Sequence, residues 1–319
     1  MRTSQFISPK HYSKVCDIAA ESVVQLYTDS NELYYSDVFS YVMNNTLYIN
    51  GWISSNNHFS YETIKQFISN CIEIDINMVL SIKQIPLSND IFEINAGTFL
   101  GYASNENAEG IPFEHLLVTK LTKTIYNKIN EAIKIGLVIN GKQIDIFAET
   151  NYENNSYIID LINEYLIDEN YISINIKVSP IINQLLYKSN ENFIINAYGP
   201  RSPYGNTNFI GLDIYRNSKY SHLVSKEIAG KMGLIENLNY SLVELTYSHN
   251  NPTPIQFGIK GNIGGIHLEN GTFFENCNKF DELIDIKNNI IEKIKSTPNS
   301  LIELAKWGYF NLNTKYEKL

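Results

Sequence analysis

The chain has 319 residues, 44% of them hydrophobic and 18% charged, which is ample for a buried core in one large unit or two to three subdomains. A net charge of -9 without a basic cluster excludes a surface built to neutralise a nucleic-acid backbone. Three cysteines, Cys16, Cys71 and Cys277, with no CxxC spacing, exclude a disulfide framework and a structural zinc site.

In chain order, Lys14 to Leu26 places Val15, Ile18, Ala19, Val23 and Leu26 on one face and predicts a helix with Ser13 as its N-cap. Val38 to Met43 and Thr46 to Ile53 flank Asn44-Asn45, residues that tolerate positive φ, and predict a hairpin. Tyr61 to Cys71 returns to helical spacing, and Asn77 to Ile82 reads as a short strand. Phe113, Leu117, Leu121, Ile125, Ile129 and Ile133 repeat every four residues and predict a long helix from Phe113 to Ile133. Lys142 to Ala148 and Tyr157 to Leu166 read as a strand pair, and Val178 to Leu186 as a helix with Pro180 in its first turn. Phe193 to Ala197, Phe209 to Tyr215 and Tyr240 to Tyr247 read as strands. Leu223 to Met232 and Phe280 to Ile294 read as helices, and Gly261 to Gly265 as a loop. Hairpins interrupt the alternation of strands and helices, so the expected class is α+β, with mixed or antiparallel sheets and helices on one face. No basic start leads into an apolar stretch and no run of about 18 apolar residues exists, so a cytoplasmic protein without membrane contact is expected.

The run Asn95-Ala96-Gly97-Thr98-Phe99-Leu100-Gly101-Tyr102-Ala103-Ser104-Asn105-Glu106 resembles the central signature GAGDQGxxFGYAxxE of S-adenosylmethionine synthetases. Its second half is retained. In its first half, Asn95 stands at an acidic position and Ala96 at a glutamine. The resemblance continues in family order. Lys10 to Asp17 is similar to GHPDKxCD, with Ser13 in place of an aspartate; Phe209 to Tyr215 is similar to KIIVDTYG, Tyr247 to Ile255 to SYAIGVAEPTSI, and Trp307 to Phe310 to an aromatic YGHFGR segment.

That resemblance implies three similar subdomains, about 1–12 with 112–190, 13–111 and 191–319, interleaved around a pseudo-threefold axis. It also implies sheets turned inward, helices outside, and a broad sheet face pairing two subunits. The implied reaction joins the sulfur of methionine to the 5′ carbon of ATP and expels triphosphate, which demands preorganised cations and Mg²⁺. Carried over by motif, the catalytic candidates are His11, Lys14 and Lys142. Gln84 matches a turn that contacts methionine, Phe193 an aromatic that stacks on adenine, and Asn95 and Arg201 line the same implied substrate site.

The losses are specific. Ser13 and Asn95 lack the acidic groups expected for metal and substrate, Phe39 and Trp52 stand at acidic positions of the first hairpin, and Asn208-Phe209 replaces an Arg-Lys pair. Only Arg216 to Lys219 remain where the family has the loop GGGAFSGKDPxKVDRS. Mg²⁺ is thereby left with a depleted ligand set, and no metal ligand is assigned. The expectation is a synthetase-like protein of weak or lost activity, with ATP or S-adenosylmethionine as the candidate ligand. The alternatives are a non-catalytic or regulatory partner of an intact synthetase paralogue, or a repurposed binder of small adenosyl compounds. A homodimer or such a heteromer is the expected assembly, with no nucleic acid and no membrane as partner.

Overall fold

A computed structural model describes residues 1–87, 96–167, 169, 171–191, 199–200, 209–235, 239–248, 256–263, 266–270 and 278–308. After strand β1 (Arg2–Ile7), helix α1 (Tyr12–Asp29) starts two residues ahead of the expected Lys14. Its cap is His11 and not Ser13: the His11 side chain, on extended backbone, accepts the Ser13 N–H at 3.3 Å, and this satisfies one of the free donors of the first turn. The hairpin β2 (Tyr34–Met43) and β3 (Thr46–Ser55) turns at Asn44 and Asn45, both at positive φ as a two-residue turn of this hand requires. Helix α2 (Tyr61–Cys71), capped by Ser60, then crosses back so that β4 (Asn77–Ile85) pairs parallel with β3.

Strand β5 (Gly97–Ser104) precedes α3 (Phe113–Ile129). The helix stops short of Ile133 because Asn130 takes a left-handed conformation, and Ile133 opens strand β6 (Ile133–Asn140). The four-residue repeat ran past the boundary because the first apolar residue of the strand falls in phase with the helix. Strand β7 (Gln143–Thr150) pairs with β6, not with 157–166, which is helix α4 (Asn155–Leu166). Ile158, Leu161, Ile162 and Leu166 form its buried stripe at helical spacing, and Asn154 caps it. The segment expected as a helix from Val178 is instead the end of β8 (Ser173–Ser179), then an irregular stretch, then β9 (Leu186–Lys188). Residues 209–215 form turns with a single bridge, Leu212 to Asp37, in place of a strand. The chain continues as α5 (Asn217–Ile235), β10 (Tyr240–Tyr247), β11 (Gln256–Ile263), β12 (Ile266–Asn270), α6 (Asn278–Ser296) and α7 (Ser300–Trp307). Gly261, Asn262 and Ile263 thus end a strand and do not form a loop. The expected strand at Phe193 to Ala197 lies outside the described residues.

Three four-stranded sheets result, in the orders β1-β6-β7-β8, β4-β3-β2-β9 and β12-β11-β10-β5. The first two share a plan: a hairpin, a crossover helix, a parallel strand on one edge, and an antiparallel strand from a distant part of the chain on the other. The third borrows β5 in the same manner. One apolar core runs from α1 and its sheet through β5, β10, α5, α6 and α7. A second fills the space between α3, α4 and the β6–β8 sheet, and closes on Trp307. Contrary to the expectation of helices outside, α1 is buried along most of its circumference, whereas α2 and α4 each bury a single stripe and leave the rest exposed or half-buried. Phe39 (51% exposed), Met43 (39%) and Val79 (47%) lie on the outward face of the β2–β4 sheet, where Tyr41 stacks on Tyr48.

Candidate functional site

The start of α1 borders a cleft of about 230 Å³ whose lining includes Lys10, His11, Tyr12, Asp75, Glu131 and Tyr187. His11 is 8% exposed and meets Tyr187 edge to face, with ring centroids 5.5 Å apart. Burial, and then the charge of Lys134, lower its pKa to about 4, so the imidazole is neutral at neutral pH. Because Nδ1 accepts the Ser13 N–H, the ring proton resides on Nε2.

Lys14 does not accompany His11 into this cleft. Its Nζ donates to the carbonyl of Ala305 at 2.7 Å and lies over the Phe6 ring, in the seam between α1 and α7. Burial lowers its pKa to about 8, against the opposing charge of Asp17. Asp17 is raised to about 7 by burial, against the charge of Lys14, and its carboxylate accepts the Asn190 N–H at 2.8 Å. Lys142 is exposed in the turn that joins β6 to β7. The cleft adjoins the opposite end of β6, and a strand of this length spans roughly 25 Å. The lysine that His11 does sense is Lys134, paired with Glu149 at 3.4 Å.

Gln84 is occupied internally. Its Oε1 accepts from the Tyr27 hydroxyl at 2.6 Å and the Phe59 N–H at 3.0 Å, and its Nε2 donates to the Phe59 carbonyl at 2.8 Å. Asn95, Phe193 and Arg201 lie outside the described residues. Of the seven candidates, then, the cleft receives His11 alone among those described.

A buried charge cluster went unrecognised in the sequence. Lys219 Nζ lies 2.6 Å from Glu21 Oε2, and Arg216 Nε lies 2.9 Å from Asp213 Oδ2. Glu21 also accepts the Gly211 N–H, and Asp213 accepts the N–H groups of Ser36 and Tyr215, so the two carboxylates hold the 209–216 turns against α1 and β2. The guanidinium of Arg216 stands over the Trp52 ring at 5.1 Å. The available signal was on α1, where Lys14, Asp17 and Glu21 recur at helical spacing on an otherwise apolar element.

The groups near the start of α1 are a serine hydroxyl, a neutral imidazole, an inward-turned ammonium and a carboxylate already bound to Asn190. Two carboxylates, Asp75 and Glu131, line the cleft beyond them, but they share it with the Lys10 ammonium and no third acidic group among the described residues joins them. Hard divalent cations take several oxygen ligands, and this donor set does not fit Mg²⁺. Among the described residues no group of three or more His, Cys, Asp or Glu side chains is placed to hold a metal ion, and no helix is long and apolar enough to cross a membrane.

No protein-family profile and no curated protein sequence matches the chain. Among solved structures it is similar to an unusual S-adenosylmethionine synthetase from Campylobacter jejuni, with a TM-score of 0.76 and 17% identity over 96% of this chain and 94% of that one. The two share a fold, S-adenosylmethionine synthetase-like, with three α+β units, at low sequence identity.

Proposed function

We propose that this chain is a divergent S-adenosylmethionine synthetase-like protein in which the joining of ATP to methionine is weak or lost. The observation that carries this reading is the fate of Lys14. The one motif lysine beside His11 is turned inward onto the Ala305 carbonyl, away from the cleft. Two further facts support it. Helix α5 begins at Asn217, directly after the turn at 213–216, which leaves no room for a long phosphate-facing loop. The Gln84 amide already holds Phe59 and Tyr27. A departing triphosphate needs preorganised cations, and removing a single electrostatic stabiliser costs roughly 10²–10³-fold in rate. The purified protein is therefore expected to form S-adenosylmethionine from ATP and methionine at least roughly 10³-fold more slowly than an intact synthetase, about 4 kcal/mol of transition-state stabilisation. Steady-state turnover with both substrates and Mg²⁺ is the test, and a rate within tenfold of ordinary enzymes, roughly 1–10 s⁻¹, would end this reading.

The outward face of the β2–β4 sheet favours a second role alongside it, as a subunit. Phe39, Met43 and Val79 are large apolar side chains exposed together on a face that also carries Tyr41 and Tyr48. A contiguous apolar face of this kind marks an association surface. Its partner is a second copy of this chain or an intact synthetase paralogue whose site it completes or regulates. Sedimentation of the protein alone, then mixed with such a paralogue, separates the two, and a monomer in both samples would remove the subunit role.

A further inference from the structure

The cleft beside His11 has a charge that does not suit phosphate. Its ionisable lining is one ammonium, Lys10, and two carboxylates, Asp75 and Glu131, with His11 neutral. Lys10 is already committed, with its Nζ donating to the Asn130 carbonyl at 2.6 Å. Lys134, which stands nearby, is offset by Glu149. Neither the Asp75 nor the Glu131 side chain has a hydrogen bond or ion pair among the described residues. The net formal charge facing a ligand is therefore negative. Tyr12 and Tyr187 stand edge to face with centroids 5.5 Å apart, and they add aromatic surface that attracts a cation. His11 supplies the remaining polar feature. More than nine-tenths of this residue is buried, it lines the cleft, its Nδ1 is used by the helix cap, and its Nε2–H has no hydrogen-bond partner among the described residues. A donor in that position calls for an oxygen acceptor on the ligand. The volume, about 230 Å³, is below the roughly 300–1,000 Å³ of sites for drug-sized molecules.

We propose that this cleft binds a small hydroxylated primary amine, its ammonium facing Asp75 and Glu131, its body against Tyr12 and Tyr187, and its hydroxyl oxygen accepting from His11 Nε2–H. The assignment rests on the cleft alone and stands whether or not adenosyl transfer survives.

A set of near-isosteric probes tests it by calorimetry on the full chain: 2-amino-1-phenylethanol, 1-phenylethane-1,2-diol and mandelate, which differ in charge, 2-phenylethylamine, which lacks the hydroxyl, and inorganic triphosphate. The amino alcohol is expected to bind at least roughly tenfold more tightly than the diol, mandelate or triphosphate, and several-fold more tightly than the amine without the hydroxyl. The double variant D75N/E131Q changes two exposed side chains and should abolish the preference for the cation while leaving the unfolding curve unchanged. H11F should remove the advantage of the hydroxyl and leave that of the ammonium. Tighter binding of mandelate or triphosphate overturns the proposal. So does a cation preference that survives D75N/E131Q, or the absence of heat from the amino alcohol at roughly 10 mM.

Discussion

Lys219 Nζ sits 2.6 Å from Glu21 Oε2 with the two side chains 0% and 1% exposed, so this ion pair is sealed from water. Burial pushes the Glu21 carboxyl up and the Lys219 ammonium down, and each partner's charge opposes the push on the other. The same two groups hold the Gly211 N–H and the Leu212 carbonyl, which ties the turns before α5 to α1. Removing one partner leaves an uncompensated buried charge. Lys219→Met is expected to cost about 3–5 kcal/mol, whereas Glu21→Gln with Lys219→Met should recover much of the loss because neither charge then remains. Urea unfolding of the single and double variants decides it. A double variant no more stable than the single one would mean that lost packing, not stranded charge, sets the cost.

Gly101 lies where α5 crosses β5. A Cβ there would fall 2.0 Å from the backbone carbonyl carbon of Ser225, and neither element can yield without lifting the helix from the sheet. Gly101→Ala is expected to destabilise the fold by about 3 kcal/mol or more, at the upper end of overpacking costs. Gly136 in β6 is the control, since an added Cβ there would find its nearest neighbour at 3.9 Å. Its alanine variant should stay within about 1 kcal/mol of the parent. Comparable losses at both sites in thermal unfolding would discount the close approach.

This explains which half of the central motif was informative. Phe99, Gly101 and Tyr102 belong to β5 and pack beneath or beside α5, so the retained residues report the fold. The half that departs from the motif, Asn95 and Ala96, precedes the strand, whose register with β10 starts at Gly97. Local signals read well where a turn dipeptide or an unambiguous apolar stripe set the geometry: Asn44-Asn45 for the hairpin, and the stripe from Ile64 to Cys71 for α2. They failed where periodicity was ambiguous. Tyr157 to Leu166 is rich in isoleucine and tyrosine, which favour strands, yet tertiary packing of Ile158, Leu161 and Ile162 makes it a helix. The candidate site was legible only at His11. Which way Lys14 turns, and which lysine approaches His11, depend on α7 and β6, elements distant in sequence from the motif.

Gln84 gives a prediction that separates a structural amide from a substrate-binding one. It accepts from Tyr27 and from the Phe59 N–H, and it donates to the Phe59 carbonyl, bracing the segment that leads into α2. Gln84→Ala leaves partly buried backbone groups of Phe59 without partners, at about 1–3 kcal/mol. The expected result is a lower unfolding midpoint and faster amide exchange at 57–60. Unchanged stability, with weakened methionine binding instead, would assign the side chain to a ligand.

His11 gives the pH-dependent prediction. Its pKa in the folded chain is about 4, against 6.5 for the free side chain. Between those values the unfolded chain binds more protons than the folded one, so stability rises with pH across that window. The contribution of His11 is fully present above pH 6.5 and drains away as pH falls toward 4. Asp17 works in the opposite sense, since its raised pKa of about 7 costs stability as pH rises. A comparison with His11→Asn cancels it, because Asp17 is common to both proteins and asparagine is itself a good N-cap without a titrating ring. Relative to that variant, the parent protein should lose about 2–3 kcal/mol between pH 7.5 and 4.5. Paired urea curves at the two pH values measure this difference. If the gap between parent and variant is the same at both, the imidazole is not held neutral by burial at the mouth of the cleft.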